Sequence, residues 1–271
     1  MSENLKTTMN GTLPSSCSNN PTAEKIGITV AYCLICLVSL AWNTVIGIIV
    51  YKTKTMRRPI NFLIVNMAMS DLLFHIFGFP YWMQTLYIDF WLIGGPLGQA
   101  LCTLYVFVAD VSVTVSIQSV VLIAVDRFGA VVFPLPSPLI SLKLCPFFIP
   151  ATWIVATAIQ SPHLFAFRLA GYSGKPLCVR DWSGTFIESS SFANYTLAIF
   201  VVFIYTPLVL IATLYSIIVS KLKSQPTPGE RLVNAAQQRE KRERNVLRMV
   251  IAIVLSFAIC WVPYTTIILV A

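Results

Sequence analysis

Formal charge is scarce in this chain of 271 residues. Asp, Glu, Lys and Arg together make up 11%, against 56% hydrophobic residues. A soluble domain carries about 25% charged residues, and a mean hydropathy of +0.76 excludes that class. Histidine is scarcer still: His75 and His163 are the two in the chain. No nucleophile–base pattern or metal-ligand spacing accompanies them, which argues against an enzyme. No internal repeat is visible, which counts against a secondary transporter built from repeated halves. Residues 1–24 are polar and lack an apolar core, so no cleavable signal peptide is expected. What is present instead is apolar mass spread over the whole length, the mark of one polytopic membrane domain.

Gaps between charges delimit the spans. No formal charge lies between Lys25 and Lys52, between Lys143 and Arg168, between Glu188 and Lys221, or after Arg248. A further span runs from about Asn61 to Tyr87 and carries Asp71 and His75. From Trp91 to Val125, about 35 residues, Asp110 is the one formal charge, and roughly 20 apolar residues suffice to cross a bilayer. These runs predict six transmembrane helices, because lipid cannot satisfy backbone polar groups. Residues 25–271 then form an all-α membrane bundle behind an extracellular tail of residues 1–24. Pro207 and Pro263 fall inside spans and predict kinks.

Lys and Arg set the orientation. Lys52, Lys54, Arg57 and Arg58 follow span one. Lys221, Lys223, Arg231, Arg239, Lys241, Arg242, Arg244 and Arg248 follow span five. The segment between spans two and three has no Lys or Arg, and Arg168, Lys175 and Arg180 after span four are offset by Asp181 and Glu188. The first and fifth connections are therefore cytoplasmic, and the N-terminus is outside. The net charge of +8 belongs to this inner face and not to nucleic-acid binding. Asn10-Gly11-Thr12 is a glycosylation sequon on the outer side; Asn194-Tyr195-Thr196 also fits but sits at the mouth of span five, close to the bilayer.

The seven cysteines do not read as a metal cluster. Cys33, Cys36, Cys145 and Cys260 lie in or beside apolar spans and are most simply small core residues. Cys17, Cys102 and Cys178 lie on the oxidising side. A bridge from Cys102, heading span three, to Cys178 would tie the loop before span five over the outer end of the bundle, leaving Cys17 free or paired elsewhere.

Asp126-Arg127 closes the third run. Adjacent opposite charges at the end of such a helix need partners or an aqueous rim, so they mark a functional site; the competing reading is a pair that snorkels to water.

From Tyr32 to Ala271 the motifs, one per helix and in order, resemble those of a rhodopsin-like G-protein-coupled receptor without its seventh helix. Asn43 stands in span one, preceded by Trp42 where the family usually shows glycine. Asn66-Met67-Ala68-Met69-Ser70-Asp71 is a variant of the span-two signature. Trp91 and Gly94 match the first outer loop, and Cys102 and Cys178 match the family disulfide. Asp126-Arg127-Phe128 stands for Asp-Arg-Tyr, with Pro134-Leu135 at the usual spacing. Trp153, Pro207 and Tyr215 match helices four and five, and Cys260-Trp261-Val262-Pro263 is the helix-six signature unaltered.

The resemblance implies a set of roles. Asp71, costing about 2.5–3.5 kcal/mol near mid-membrane unless paired or hydrated, would hold a sodium ion with Asn43 and Ser116; a protonated Asp71 bonded to Asn43 without an ion is the alternative. Arg127 would keep the inactive bundle closed, paired with Asp126 and across the bundle with Glu243, and then meet the G protein beside Pro134, Leu135 and Tyr215. For Glu243 a solvated basic face over 239–244 is the competing reading. Ile117, Pro207, Phe257, Trp261 and Pro263 would form the activation switch, with core packing as the plainer reading of each apolar one. The cytoplasmic loop of about 221–241, broken at Pro226-Thr227-Pro228-Gly229, leads into a basic stretch able to meet anionic lipid as well as a heterotrimeric G protein.

Amine receptors carry an aspartate seven residues after the helix-three cysteine. Here that residue is Ala109, and Asp110 follows it, about 100° further round the helix. With Tyr264 and Trp261 in helix six and Tyr81, Trp82, Tyr87, Trp91, Tyr172 and Trp182 at the outer end, the pattern looks more like the neuropeptide branch, though aromatics also gather at membrane interfaces as anchors. An amine or light receptor of the same fold is the alternative, and a secondary transporter the alternative from another class. Ending at Ala271 without the Asn-Pro-x-x-Tyr helix, the chain reads as a partial product of a plasma-membrane receptor.

Overall fold

The structure, a computed structural model, describes residues 21–88, 90–133, 139–172, 174–181 and 190–223. Helix α1 runs over Pro21–Lys52, with Glu24 in its first turn and Lys52 in its last, each sign suited to its end of the helix dipole. Its start falls four residues inside the tail expected over 1–24. The polar residues Thr22 to Lys25 are compatible with a helix, and charge spacing alone does not reveal this.

A single 3-10 turn, Lys54–Met56, leads into α2, Pro59–Tyr87. Arg58 is extended (φ −112°, ψ 154°), as the residue before a proline must be, and Pro59 opens the helix, where its missing N–H costs nothing. Helix α3, Gly95–Val132, starts at Gly95 with φ 69°, a left-handed turn that glycine alone takes readily. One turn on, a Cβ at Gly98 would meet the backbone carbonyl of Ile93, so the outer loop packs on α3 only because no side chain is there.

Helix α4, Cys145–Gln160, has 16 residues, about 24 Å of rise, and the short α5, His163–Ala166, continues its path after a turn. The span after it is composite: α6, Ser190–Ile199, a wide π-helical segment, Phe200–Tyr205, and α7, Thr206–Lys223. Pro207 has no N–H for the carbonyl four residues back, and the register slips by one. The backbone N–H and the hydroxyl of Thr206 both donate to the Val201 carbonyl, five residues back, the hydroxyl at 2.8 Å. The distortion expected at Pro207 is thus a π-bulge.

Among the described residues, four stretches are long and apolar enough to cross a bilayer: Thr22–Lys52, Pro59–Tyr87, Gly95–Val132 and Asn194–Lys221. With α4 these match five of the six expected spans; the sixth lies outside the described residues. One correction to the all-α expectation is needed. The loop after α5 is an antiparallel hairpin, β1 (Phe167–Tyr172) with β2 (Lys175–Arg180), pairing Leu169 with Cys178 and turning through Gly174 at φ 77°. Strands pair here because this loop lies outside the hydrocarbon, where a hairpin edge can meet water.

Helix α3 is the hub, packed by α2, α4 and α7. Val120, Ala124 and Val131 of α3 meet Ile211, Tyr215 and Ile218 of α7, while Ile123 packs with Ile60, Leu63, Ile140 and Cys145 on the other side. Outward faces stay apolar, with Leu37, Trp42, Phe147, Ile154 and Val209 all exposed, as lipid contact requires.

Candidate functional site

The outer end is built on α3. Cys102, fully buried, is bonded to Cys178 of β2 with Cα atoms 5.7 Å apart, which bears out the bridge expected from sequence. Gln99 holds the other strand: its Nε2 donates to the Phe167 carbonyl at 3.1 Å, and its Oε1 accepts from the Leu169 N–H at 2.8 Å. The Thr103 hydroxyl donates to the same Phe167 carbonyl at 3.1 Å. The Trp91 N–H donates to the Pro176 carbonyl at 2.7 Å, and Arg168 pairs with Asp181 at the base of the hairpin. Both strands are therefore fixed to one helix.

Tyr81, Trp91 and Tyr105 pack with centroids 6.0–6.4 Å apart. Trp91 is buried, whereas Trp82 and Tyr87 are exposed. The aromatic residues are thus divided between an inner cluster and a rim. Trp182 lies outside the described residues.

Two turns below the disulfide, Ala109 and Asp110 are half-buried. His163 Nδ1 stands 2.8 Å from Asp110 Oδ2. The imidazole is fixed edge-on by Tyr195 and Phe167, with centroids at 5.7 and 6.0 Å, and the Tyr195 hydroxyl donates to the Ile159 carbonyl at 2.7 Å. The sequence marks Asp110 as a pocket residue and gives His163 no role. A histidine closing span four, opposite an acid in span three, was the available signal.

Deeper in the bundle, Ser116 Oγ donates to Asp71 Oδ1 at 2.8 Å, and the Ser70 and Ser116 hydroxyls lie 2.7 Å apart. Asn43 is buried but does not join them: its Nδ2 donates to the carbonyl and hydroxyl of Ser39, at 2.9 and 3.1 Å. Neither the three-residue ion set nor an Asp71–Asn43 bond forms from this amide, because Ser39 lies one turn away on the same helix. Among the described residues the two carboxylate oxygens of Asp71 and the hydroxyls of Ser116 and Ser70 gather here, fewer than the six or more oxygens around a hard cation such as calcium.

Asn66 has a role that its place in the span-two motif did not reveal. Its Nδ2 donates to Ser119 Oγ at 2.9 Å and to Thr152 Oγ1 at 3.2 Å, and its Oδ1 accepts from Trp153 Nε1 at 2.8 Å. One buried amide joins α2, α3 and α4. The signal was an asparagine in an apolar run, where an unsatisfied amide is costly.

Of the switch residues, Ile117 is buried against Phe200 and Ile204 of the π segment, with Leu208 alongside; Pro207 is half-buried just beyond them. Tyr215 is buried in the α3–α7 cluster. Asn10, Pro134, Leu135, Glu243, Phe257, Trp261, Pro263 and Tyr264 lie outside the described residues, as do Cys17 and Cys260. Cys36 and Cys145 are buried and Cys33 is partly so, all three as free thiols.

At the inner end Asp126 is 1% exposed. Its Oδ2 accepts from Arg127 Nη2 at 2.5 Å and from Nε at 3.2 Å. Its Oδ1 accepts from the Ile140 N–H at 3.1 Å. Ile140 is buried among Ile60, Leu63, Ile123 and Cys145. The pair does not snorkel. Its carboxylate faces inward and secures the chain entering α4, while the Arg127 side chain keeps 15% exposure.

Comparison with known proteins agrees with this arrangement. The model of the seven-transmembrane receptor (rhodopsin family) matches residues 42–271. The QRFP-like peptide receptor of Branchiostoma floridae is 29% identical over 92% of this chain and 65% of its own length. The neuropeptide Y receptor type 1 of Xenopus laevis is 30% identical over 88% of this chain and 65% of its own. The human neuropeptide FF receptor 1 is 32% identical over 86% and 55%. The chain thus spans between about half and two thirds of the length of these relatives. It belongs to the rhodopsin family of seven-transmembrane receptors, multi-pass proteins of the plasma membrane, and is a receptor-family protein rather than an enzyme.

Proposed function

We propose that the outer end of this bundle binds an extracellular neuropeptide and that the inner end activates a heterotrimeric G protein through outward movement of helix six. The observation that carries the reading is the hairpin Phe167–Arg180, pinned to α3 through Cys102, Gln99 and Thr103. That anchorage holds a rigid rim beside Asp110 and the Tyr81–Trp91–Tyr105 cluster. Rigid aromatic surface suits a peptide, offering amphipathic contact at low entropic cost. The relatives' names, which refer to neuropeptides, favour the same ligand class.

In this reading the ligand acts through differential affinity for two packings of the bundle. The bistable element is the contact of Ile117 with Phe200 and Ile204 beside the Pro207 bulge. Phe257, Trp261 and Pro263 are the helix-six side of that switch. Arg127 is the inner latch, with Glu243 as its partner on helix six, and Pro134, Leu135 and Tyr215 frame the G-protein surface. The basic segment over 239–244 meets anionic lipid as well.

The test is nucleotide exchange in membranes from cells expressing the receptor, challenged with neuropeptide Y, neuropeptide FF and small amines. Peptide-stimulated exchange is expected. Exchange driven by an amine and by no peptide would contradict the ligand class.

A further inference from the structure

We propose that the inner ends of α2 and α4 together bind a polyphosphorylated inositol phospholipid of the cytoplasmic leaflet. The inference goes beyond the peptide and G-protein reading and depends on neither. Its cations are Lys54 and Arg58, in the connection before α2, and Lys143, two residues before α4, all exposed. Packing brings their two segments side by side. The thiol of Cys145, first residue of α4, lies 3.9 Å from the carbonyl of Pro59, first residue of α2. Ile60 packs with Ile140 and Cys145 in one buried cluster. Basic residues far apart along the chain therefore share one edge of the bundle.

Opposite charge is missing from that edge. Residues 53–58 and 139–144 contain no Asp or Glu, and the first turns of α2 and α4 have none either. Asp126 stands behind, 1% exposed, with its oxygens already on Arg127 and Ile140. Among the described residues no acidic group pairs with Lys54, Arg58 or Lys143. A headgroup with one net charge would leave most of this positive charge unbalanced. Phosphomonoesters bring close to two charges each and three strong acceptor oxygens, which an arginine fork and lysine ammonium groups match.

Charge alone would suit a free phosphate compound equally well. The same edge, however, exposes Met56, Leu142 and Leu144, at 42%, 53% and 41%. Apolar side chains beside these cations, at the level where helices leave the bilayer, suit a ligand whose phosphates are attached to acyl chains. The turn that presents Lys54 is held in advance. The Met56 N–H donates to the Thr53 carbonyl at 2.9 Å, and Asn61 Nδ2 donates to the Met56 carbonyl at 2.6 Å. Arg57 Nη2 donates to the Tyr51 carbonyl at 3.1 Å. Little backbone ordering is left to oppose binding.

Native mass spectrometry of the purified receptor, titrated with a phosphatidylinositol bisphosphate or with phosphatidylserine, provides the test. The bisphosphate is expected to be retained as a one-to-one adduct, several-fold more strongly than phosphatidylserine; this comparison needs no variant. Arg58→Gln combined with Lys143→Gln should weaken its retention about tenfold or more. Lys221→Gln combined with Lys223→Gln removes the same charge at the inner end of α7 and should change retention little. Soluble inositol trisphosphate should compete only at far higher concentration, because it lacks acyl chains. Equal retention of the two lipids, or equal loss in the two double variants, would reduce the effect to general attraction by the inner face and overturn the proposal. Undiminished retention in the Arg58 and Lys143 variant would also overturn it, as would a soluble headgroup that competes as well as the lipid binds.

Discussion

The carboxylate of Asp126 accepts the backbone N–H of Ile140 at 3.1 Å through one oxygen and holds Arg127 through the other. One buried side chain therefore fixes both Arg127 and the start of the chain into α4. Removing it takes an acceptor from the buried Ile140 N–H and the charge partner from Arg127.

Asp126→Ala is expected to cost about 2–3 kcal/mol. This is below the 3–5 kcal/mol typical of a fully buried pair, because Arg127 retains access to water. Asp126→Asn keeps an amide oxygen for Ile140 and should lose less. Thermal unfolding of the purified receptor checks the order: wild type, then Asn, then Ala. Equal loss in the two variants would mean that the Ile140 bond contributes nothing.

Glu243→Gln is expected to raise basal nucleotide exchange, since the neutral amide cannot hold Arg127 by charge across the bundle. Exchange without ligand, normalised to receptor at the cell surface, is the measurement. Unchanged basal exchange would remove Glu243 from the latch and leave the solvated basic face as its reading.

Cys178→Ser releases β2 from α3 across a separation of 76 residues. Loss of a native disulfide typically costs about 2–5 kcal/mol. The variant should melt earlier and bind ligand more weakly, while Asp126-dependent stability at the opposite end is unaffected. Non-reducing peptide mapping of the wild type should recover Cys102 joined to Cys178; another pairing would contradict the anchorage of the hairpin.

Asn66→Ala strips partners from Ser119, Thr152 and Trp153 together. Hydrogen bonds between membrane helices average about 0.6 kcal/mol and reach about 1.7, so a loss of about 1–3 kcal/mol is expected for the three. A shift in melting temperature no larger than that of an outward-facing control such as Val209→Ala would show that the network does not join the helices.

Much of the frame is legible in the sequence for a plain reason: lipid imposes one rule, charge exclusion, over long runs; α1 beyond Lys25, α4 and the span up to Lys221 obey it, and α2 and α3 break it at a few positions such as Asp71 and Asp110. Boundaries marked by charge are less secure, as the start of α1 at Pro21 shows. The hairpin was hidden because Phe167–Arg180 mixes charge, proline and glycine in a loop where no membrane rule applies. The Cys102–Cys178 bridge was readable because both residues fall on one oxidising face. Asn66 with Trp153, and Asp110 with His163, are pairs distant along the chain; a linear pattern gives each residue alone, and helix packing makes the pair. Asn43 went the other way: its motif suggested Asp71, but Ser39 one turn back was nearer.

The central claim is that a ligand at the outer end moves helix six at the inner end. The most direct measurement is the distance between spin labels at Phe133→Cys and Arg244→Cys in the receptor in nanodiscs, with and without the peptide that stimulates exchange. A population at longer distance is expected when peptide is bound. An unchanged distribution alongside full nucleotide exchange would contradict it.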